Sequence, residues 1–212
     1  MKQQLPTLEE EKKLWSKGQR FVIGVDEVGR GPLAGPVVAA ACYFSFENDE
    51  ARQEILDLGI KDSKFVSPKK REKIFNFLIS SNSVKYGIGV IDEVTIDKIN
   101  ILQASLLAMK DAIEDLKMEN FEGAYALIDG RDVIPNVQMS QKAIIKGDGK
   151  VLSIAAASIL AKVTRDKMME EYAKKYPQYL FEKHKGYGTK LHMEAIKEHG
   201  PCEIHRKSFL HM

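Results

Sequence analysis

Three apolar runs of strand length in this chain each run into acid. Phe21–Val25 (FVIGV) leads to Asp26 and Glu27, Tyr125–Ile128 (YALI) to Asp129, and Ala143–Gly147 (AIIKG) to Asp148. Short apolar runs bounded by turn-forming residues read as buried strands. Adjacent strands of one sheet would bring those acidic ends together. A like-charge pair roughly 4 Å apart repels by about 4 kcal/mol at an effective dielectric of about 20. Such a cluster is tolerated where some acids keep a proton or where divalent cations sit among them. Hard oxygen ligands suit Mg²⁺ or Mn²⁺. Two such ions about 3.5–4 Å apart are the apparatus for in-line attack of water on a phosphodiester. Acids that merely cap strands into loops are the plain alternative, and it weakens with each acid added.

The remaining pattern supplies a scaffold for such a sheet. Val37–Phe44 (VVAAACYF) and Lys85–Ile91 read as further strands. Helices are expected over residues 8–17, where Thr7 and Glu10 make a capping-box pattern, and over 68–80, 97–118, 151–172 and 191–199, the last closed by Gly200 and Pro201. Strands come first, a mixture follows, and helices finish, which predicts an α/β domain with a helical C-terminal part. The length of 212 residues suits one domain, and 44% hydrophobic with 29% charged residues excludes a disordered or collagen-like chain. No apolar run approaches the ~20 residues that span a bilayer, and MKQQLPTLEEEKKLW at the start lacks the apolar core of a secretion signal. With only Cys42 and Cys202, no disulfide framework is expected and the cytoplasm is the natural compartment.

Charge is sorted along the chain although the net is only +2. Residues 61–73 and 142–167 each carry six Lys/Arg against two acids, and 183–207 carry six against three, whereas 92–122 carry eight acids against three Lys. Basic segments set apart in this way point to an anionic partner, nucleic acid first, with solvated lysine-rich helix faces as the alternative.

The turn Gly29–Arg30–Gly31–Pro32 with Gly35 lies between two strands. No Gly-Lys-Ser/Thr follows it, so it is not a Walker A loop, and its spacing, Pro32 and the strand that follows exclude a dinucleotide fingerprint. Gly29 and Gly31 offer bare backbone to a sugar or phosphate beside the metals. All five histidines lie at or after position 184, but their spacing, with a single nearby Cys202, matches no tetrahedral zinc set. His184, between Lys183 and Lys185 and followed by Gly186, Tyr187 and Gly188, looks instead like part of a phosphate-facing loop with an embedded aromatic.

Taken together, these residues closely resemble bacterial ribonuclease HII. The resemblance rests on IGVDEVGRGPLAGPVVAAA at 23–41, DSK at 62–64, INILQASLLAM at 99–109, LIDG at 127–130, KGDGK at 146–150, IAAASILAKVTRD at 154–166, KHKGYGT at 183–189, GP at 200–201 and HRKSF at 205–209. It implies a ribonuclease H-like fold, a mixed central sheet flanked by helices, with residues 1–182 as the catalytic domain and 183–212 as a small helical substrate-binding segment packed on it. It also implies a two-metal endonuclease, using Mg²⁺ or Mn²⁺, that cuts the RNA strand of RNA–DNA hybrids and nicks duplex DNA 5′ to embedded ribonucleotides. The implied metal ligands are Asp26, Glu27, Asp129 and Asp148. The Gly29, Arg30 and Gly31 backbone would meet the ribose 2′-hydroxyl, and Tyr187 would stack on the following deoxyribose. Lys64, Ser158, Lys162, Lys183 and Lys185 are candidate phosphate contacts. Asp166, inside a helix, reads as a salt-bridge residue.

The chain departs from the family pattern in three places. Phe65–Val66 follow DSK where Lys-Leu is usual, Arg131 stands where Asn is common, and the chain closes on FLHM with no clamp-binding tail. A monomer is expected, without membrane attachment. Another carboxylate nuclease such as a junction resolvase, and a non-catalytic nucleic-acid-binding module, remain the rival readings at this point.

Overall fold

The computed structural model describes residues 5–46 and 48–210. The outer ends of the expected catalytic and C-terminal segments (1–4 and 211–212, with the His211–Met212 close of the tail) lie outside them. Among the described residues no helix is long and apolar enough to cross a membrane.

Five strands form one mixed sheet: β1 (Phe21–Val28), β2 (Val37–Phe44), β3 (Val84–Ile91), β4 (Ala124–Asp129) and β5 (Ser140–Ile144), in the order β3-β2-β1-β4-β5. The short 29–36 connection makes β1 and β2 antiparallel, as are β2 and β3, whereas β4 joins β1 in parallel after a long crossover and β5 joins β4 in parallel after the 130–139 loop. Helices α1 (Glu9–Trp15), α2 (Asp49–Asp57), α3 (Pro68–Ser80), α4 (Glu93–Glu114), α5 (Leu152–Lys175), α6 (Phe181–His184) and α7 (Lys190–His199) complete the chain. The ribonuclease H-like expectation of a mixed sheet flanked by helices is met.

Side-chain alternation in β2 explains why both faces are covered. Val38, Ala40, Cys42 and Phe44 pack with α3 and α5, while Val37, Ala39 and Ala41 pack with Ile23 and Val25 of β1 and with α4. A strand buried on both faces reads as a continuous apolar run, as VVAAACYF does. Small residues let the helices come close. A Cβ on Gly24 would overlap the backbone of Ser153 and Ile154 at the start of α5. Gly24→Ala therefore forces α5 off β1 and costs about 3 kcal/mol, a fall in melting temperature of roughly 6–12 °C. Thermal unfolding checks this against Gly149→Ala, where nothing lies within 4 Å and no change is expected.

Several boundaries differ from the sequence reading. α1 starts at Glu9 because Thr7 is held extended as a bridge partner of Val151, so the capping box is not made, and Glu10 pairs with Lys13 and Lys142 instead. The buried Glu11 ties α1 to α5, accepting from both the Ser153 N–H and hydroxyl at 2.9 Å. α4 begins at Glu93, capped by Asp92, and breaks at Asn100 (φ 66°), whose side-chain oxygen accepts from the Leu102 and Gln103 amides and restarts the helix. α2, capped by Asn48, went unread because it is strongly charged and buries only Ile55.

The C-terminal helices are not a free-standing unit. Tyr179, Phe181, Ala195, Ile196 and Ile204 share one apolar cluster with Met169 of α5 and Ala34 of the 29–36 loop.

Candidate metal centre and substrate face

β1 outruns its parallel neighbour. Its pairing with β4 ends at Val25↔Ile128, but β2 continues to pair opposite Asp26 (Ala40) and Glu27 (Ala39). Asp26 and Glu27 thus lie within β1 rather than beyond its end, and the register sets Asp26 beside Asp129, the last residue of β4. Asp148 does not end a strand either: it sits in a 3-10 turn, Gly147–Gly149, between β5 and α5. Ligand oxygens of Asp26, Asp129 and Asp148 all lie within 4.8 Å of one another. Among the described residues this is the only group of three or more His, Cys, Asp or Glu side chains that could hold a metal ion. Glu27 stands outside that set, with its Oε1 3.4 Å from the Arg30 guanidinium.

Fixed donors orient these acids. The Gly147 N–H donates to Asp129 Oδ1 at 2.6 Å, and Asp26 accepts from the Glu27 N–H at 2.8 Å, with the Ser158 hydroxyl acting to lower its pKa. Ser158 in turn meets the Ser63 hydroxyl at 3.0 Å. Burial, then the charges of Glu27 and Asp129, raise the Asp26 pKa well above the carboxylate range. Burial pushes Glu27 up to about 7, against the pull of Arg30. Asp148 is raised by burial and by Asp129 and Asp62. Lys64 moves the other way: burial opposes its charge, but the combined field of Asp62, Asp148, Asp26 and Asp129 wins and raises its pKa. Three clustered carboxylates without a matching set of cationic side chains are a donor set for a hard divalent cation, which removes the repulsion that burial amplifies.

Beside the acids, the Gly29–Pro36 loop is held by two arginines, both 0% exposed. Arg165 donates to the carbonyls of Pro36 (2.9 Å), Ala34 (3.1 Å) and Lys185 (2.9 Å). Arg206 donates to those of Gly35 (2.7 and 2.9 Å), Gly29 (2.6 Å) and Arg30 (3.2 Å). Burial lowers both, to about 10 for Arg165 and about 9 for Arg206, so both stay charged at neutral pH. Gly29 has φ 101°, and a Cβ there would press into Arg165 and the Pro36 oxygen. Backbone bonds Leu33 N–H to Gly186 O, Gly35 N–H to Ile204 O and Arg206 N–H to Leu33 O stitch the loop to the C-terminal segment. As a result Tyr187, 41% exposed, stands next to Gly31: a Cβ on Gly31 would lie 3.7 Å from Tyr187 Cε1.

The lysines are less uniform. Lys64, Lys183 and Arg30 are exposed, whereas Lys162 and Lys185 hold ion pairs with Asp166 (2.7 Å) and Glu170 (2.8 Å) that a phosphate would have to share. Asp166 also lies 3.7 Å from Arg71. Sequence reasoning missed Arg165 and Arg206. The available signal was the loop itself: a Gly/Pro-rich turn with buried carbonyls needs many donors at one point, and only Arg brings five.

Comparison with known proteins gives a consistent picture. A family model described as Ribonuclease HII matches residues 23–212. A ribonuclease HII of Caldicellulosiruptor bescii is 54% identical over 200 residues, covering 94% of this chain and 91% of the relative. Among solved structures, ribonuclease HII in its complex with PCNA from Archaeoglobus fulgidus superposes with a TM-score of 0.72 at 26% identity, covering 91% of this chain and 96% of that one. Ribonuclease H2 from Pyrococcus horikoshii gives 0.69 at 28% identity, covering 89% and 93%.

Proposed function

The chain belongs to the ribonuclease HII family and is a metal-dependent endoribonuclease; on that premise we propose that it cuts the RNA strand of RNA–DNA hybrids and nicks duplex DNA 5′ to an embedded ribonucleotide, leaving 3′-hydroxyl and 5′-phosphate ends. The observation that carries this reading is the convergence of Asp26, Asp129 and Asp148 within 4.8 Å beside a rigid glycine loop. These three, with Glu27 alongside, would hold Mg²⁺ or Mn²⁺. Two such cations, when bound, supply an activated water and neutralise charge on the phosphate and the departing 3′ oxygen.

The protein's own part is positional. The Glu27 and Gly147 N–H groups fix the directions of Asp26 and Asp129, so little reorganisation is left for the moment of reaction. Lys64 brings positive charge to the rim, and Lys162, Lys183 and Lys185 follow the phosphates. The Gly29–Gly31 backbone meets the 2′-hydroxyl, the group that separates RNA from DNA, and the Tyr187 ring meets the adjoining sugar. In this reading residues 1–182 hold the chemistry and 183–212 grip the substrate. Action as a monomer belongs to the same reading, and the unpaired Cys42 and Cys202 suit the cytoplasm.

A duplex carrying one ribonucleotide tests the reading. Cutting is expected in Mg²⁺ or Mn²⁺, none in EDTA, and none on an all-DNA duplex. Ca²⁺ preserves complex formation but blocks cutting, because its larger, flexible coordination holds the reacting groups less strictly than octahedral Mg²⁺. Binding without cleavage in either active metal would overturn the proposal in favour of a binding module, and cleavage of all-DNA in favour of a different nuclease.

A further inference from the structure

Behind the Tyr187 loop lies a layer of histidines that the metal centre does not use. His184, His192 and His205 are 7, 0 and 2% exposed. The His184 and His192 rings stack with centroids 4.4 Å apart, and Phe181 meets both edge-on.

Backbone donors fix which nitrogen of each ring carries the proton, because an N–H can only donate. The Cys202 N–H lies 2.9 Å from His205 Nδ1, so in the neutral ring the proton is on Nε2. That Nε2–H faces His192 Nε2 at 3.1 Å, which must accept. The His192 proton is then on Nδ1, 3.0 Å from the carbonyl oxygen of Tyr187. Likewise the Gly186 N–H donates to His184 Nδ1 at 3.2 Å, leaving Nε2–H to donate to the Tyr179 carbonyl at 2.8 Å. Burial holds all three rings below the ordinary histidine range, His192 at about 4, in keeping with neutral rings.

The layer therefore holds the loop at two successive residues, Gly186 by its N–H and Tyr187 by its C=O. The loop needs holding: Lys185 (φ 51°) and Gly186 (φ 86°) are both left-handed. Apolar side chains in place of the two rings could fill the space. They would leave the Cys202 N–H and one bond to the Tyr187 carbonyl without a partner, at about 1–3 kcal/mol for a buried group.

We propose that His192 and His205 are positioning residues: a neutral two-imidazole relay, anchored on the Cys202 N–H, that sets the backbone of Tyr187 and thereby aims its ring at the sugar of the ribonucleotide junction. This rests on the reading of Tyr187 given above. The residues act through Tyr187 and touch neither the metal centre nor the scissile phosphate.

The test uses the full chain, a duplex with one embedded ribonucleotide, and histidine ring ¹⁵N NMR. In the parent, His192 is expected to be protonated on Nδ1, the less common tautomer of free histidine, and His205 on Nε2. His192→Phe fills the layer but cannot donate. It raises KM about tenfold, the scale of a lost stacking contact, with kcat changed less than about twofold. His192→Asn places an amide donor near the Nδ1 position and recovers most of the affinity. His192 found protonated on Nε2, His192→Asn as impaired as His192→Phe, or His192→Phe acting on kcat rather than KM would each overturn the relay. Tyr187→Ala separates the two failures. If it raises KM while His192→Phe does not, the relay alone is wrong; if it leaves KM unchanged, the substrate-facing reading of Tyr187 falls and the relay with it.

Discussion

Asp129→Asn lowers cleavage by on the order of a hundredfold or more while leaving duplex affinity close to that of the parent. The substitution keeps side-chain size, and the Asn oxygen can still accept from the Gly147 N–H that now bonds Asp129 at 2.6 Å. What disappears is one charge from the set Asp26, Asp129 and Asp148, hence much of the affinity for divalent metal. Duplex binding survives because it rests on Lys and Arg contacts to phosphates. A second readout separates loss of chemistry from loss of fold. In EDTA the parent holds mutually repelling acids, and Asp129 is among the charges that push up Asp26, Glu27 and Asp148. Removing that charge stabilises the metal-free protein by about 1 kcal/mol, or roughly 2–4 °C in melting temperature. Near-parental turnover would show that Asp129 is not a metal ligand, and a lower melting temperature in EDTA would show that its charge is not repelled.

How much of this was legible in the sequence depends on where each residue finds its partner. The acids were visible as a set: one acid beside an apolar run is often a plain strand cap, but four at the ends of three such runs are not easily explained that way. Their exact seats were not: Asp26 and Glu27 fall inside β1 because β2 goes on pairing past the end of β4, which only the sheet register reveals. Asp148 moved from a strand end to a 3-10 turn because β5 stops at Ile144. The first half of α5 is buried all round, from Leu152 to Ala161, so its run of apolar and small residues marked a helix but not which face met β1. Histidine spacing excluded a tetrahedral zinc set yet gave no hint of the layer that the rings build, since His192 and His205 meet only when α7 folds back on the 200–206 turn. Arg206 was hardest of all. Its partners are backbone carbonyls 171 to 177 positions away, and a backbone carbonyl leaves no trace in residue identity.

That same arginine carries the second large effect. Arg206→Met keeps an apolar stem but strips donors from the carbonyls of Gly29, Arg30 and Gly35 together. Each buried acceptor left unpaired costs about 1–3 kcal/mol. Relief comes from no longer burying a charge that already feels Arg165 close by. The balance is a loss of about 2–4 kcal/mol, and a fall of roughly 5–15 °C in melting temperature. Activity falls further than stability does. With the loop free to shift by an ångström, catalytic efficiency on a single embedded ribonucleotide drops on the order of a hundredfold, although the acids are untouched. Arg206→Lys recovers little, because one ammonium cannot reproduce a planar fork that spans three residues. Arg165→Met is the informative partner: it frees the carbonyls of Ala34, Pro36 and Lys185 in the same loop system, so the double variant loses less than the two single losses added. Melting curves and kcat/KM for the four proteins decide the matter. Parental values for Arg206→Met would mean that the loop holds its shape by backbone bonds alone and that the buried guanidiniums are not what aims it at the substrate, and simple additivity with Arg165→Met would mean that the two arginines hold it independently rather than as one system.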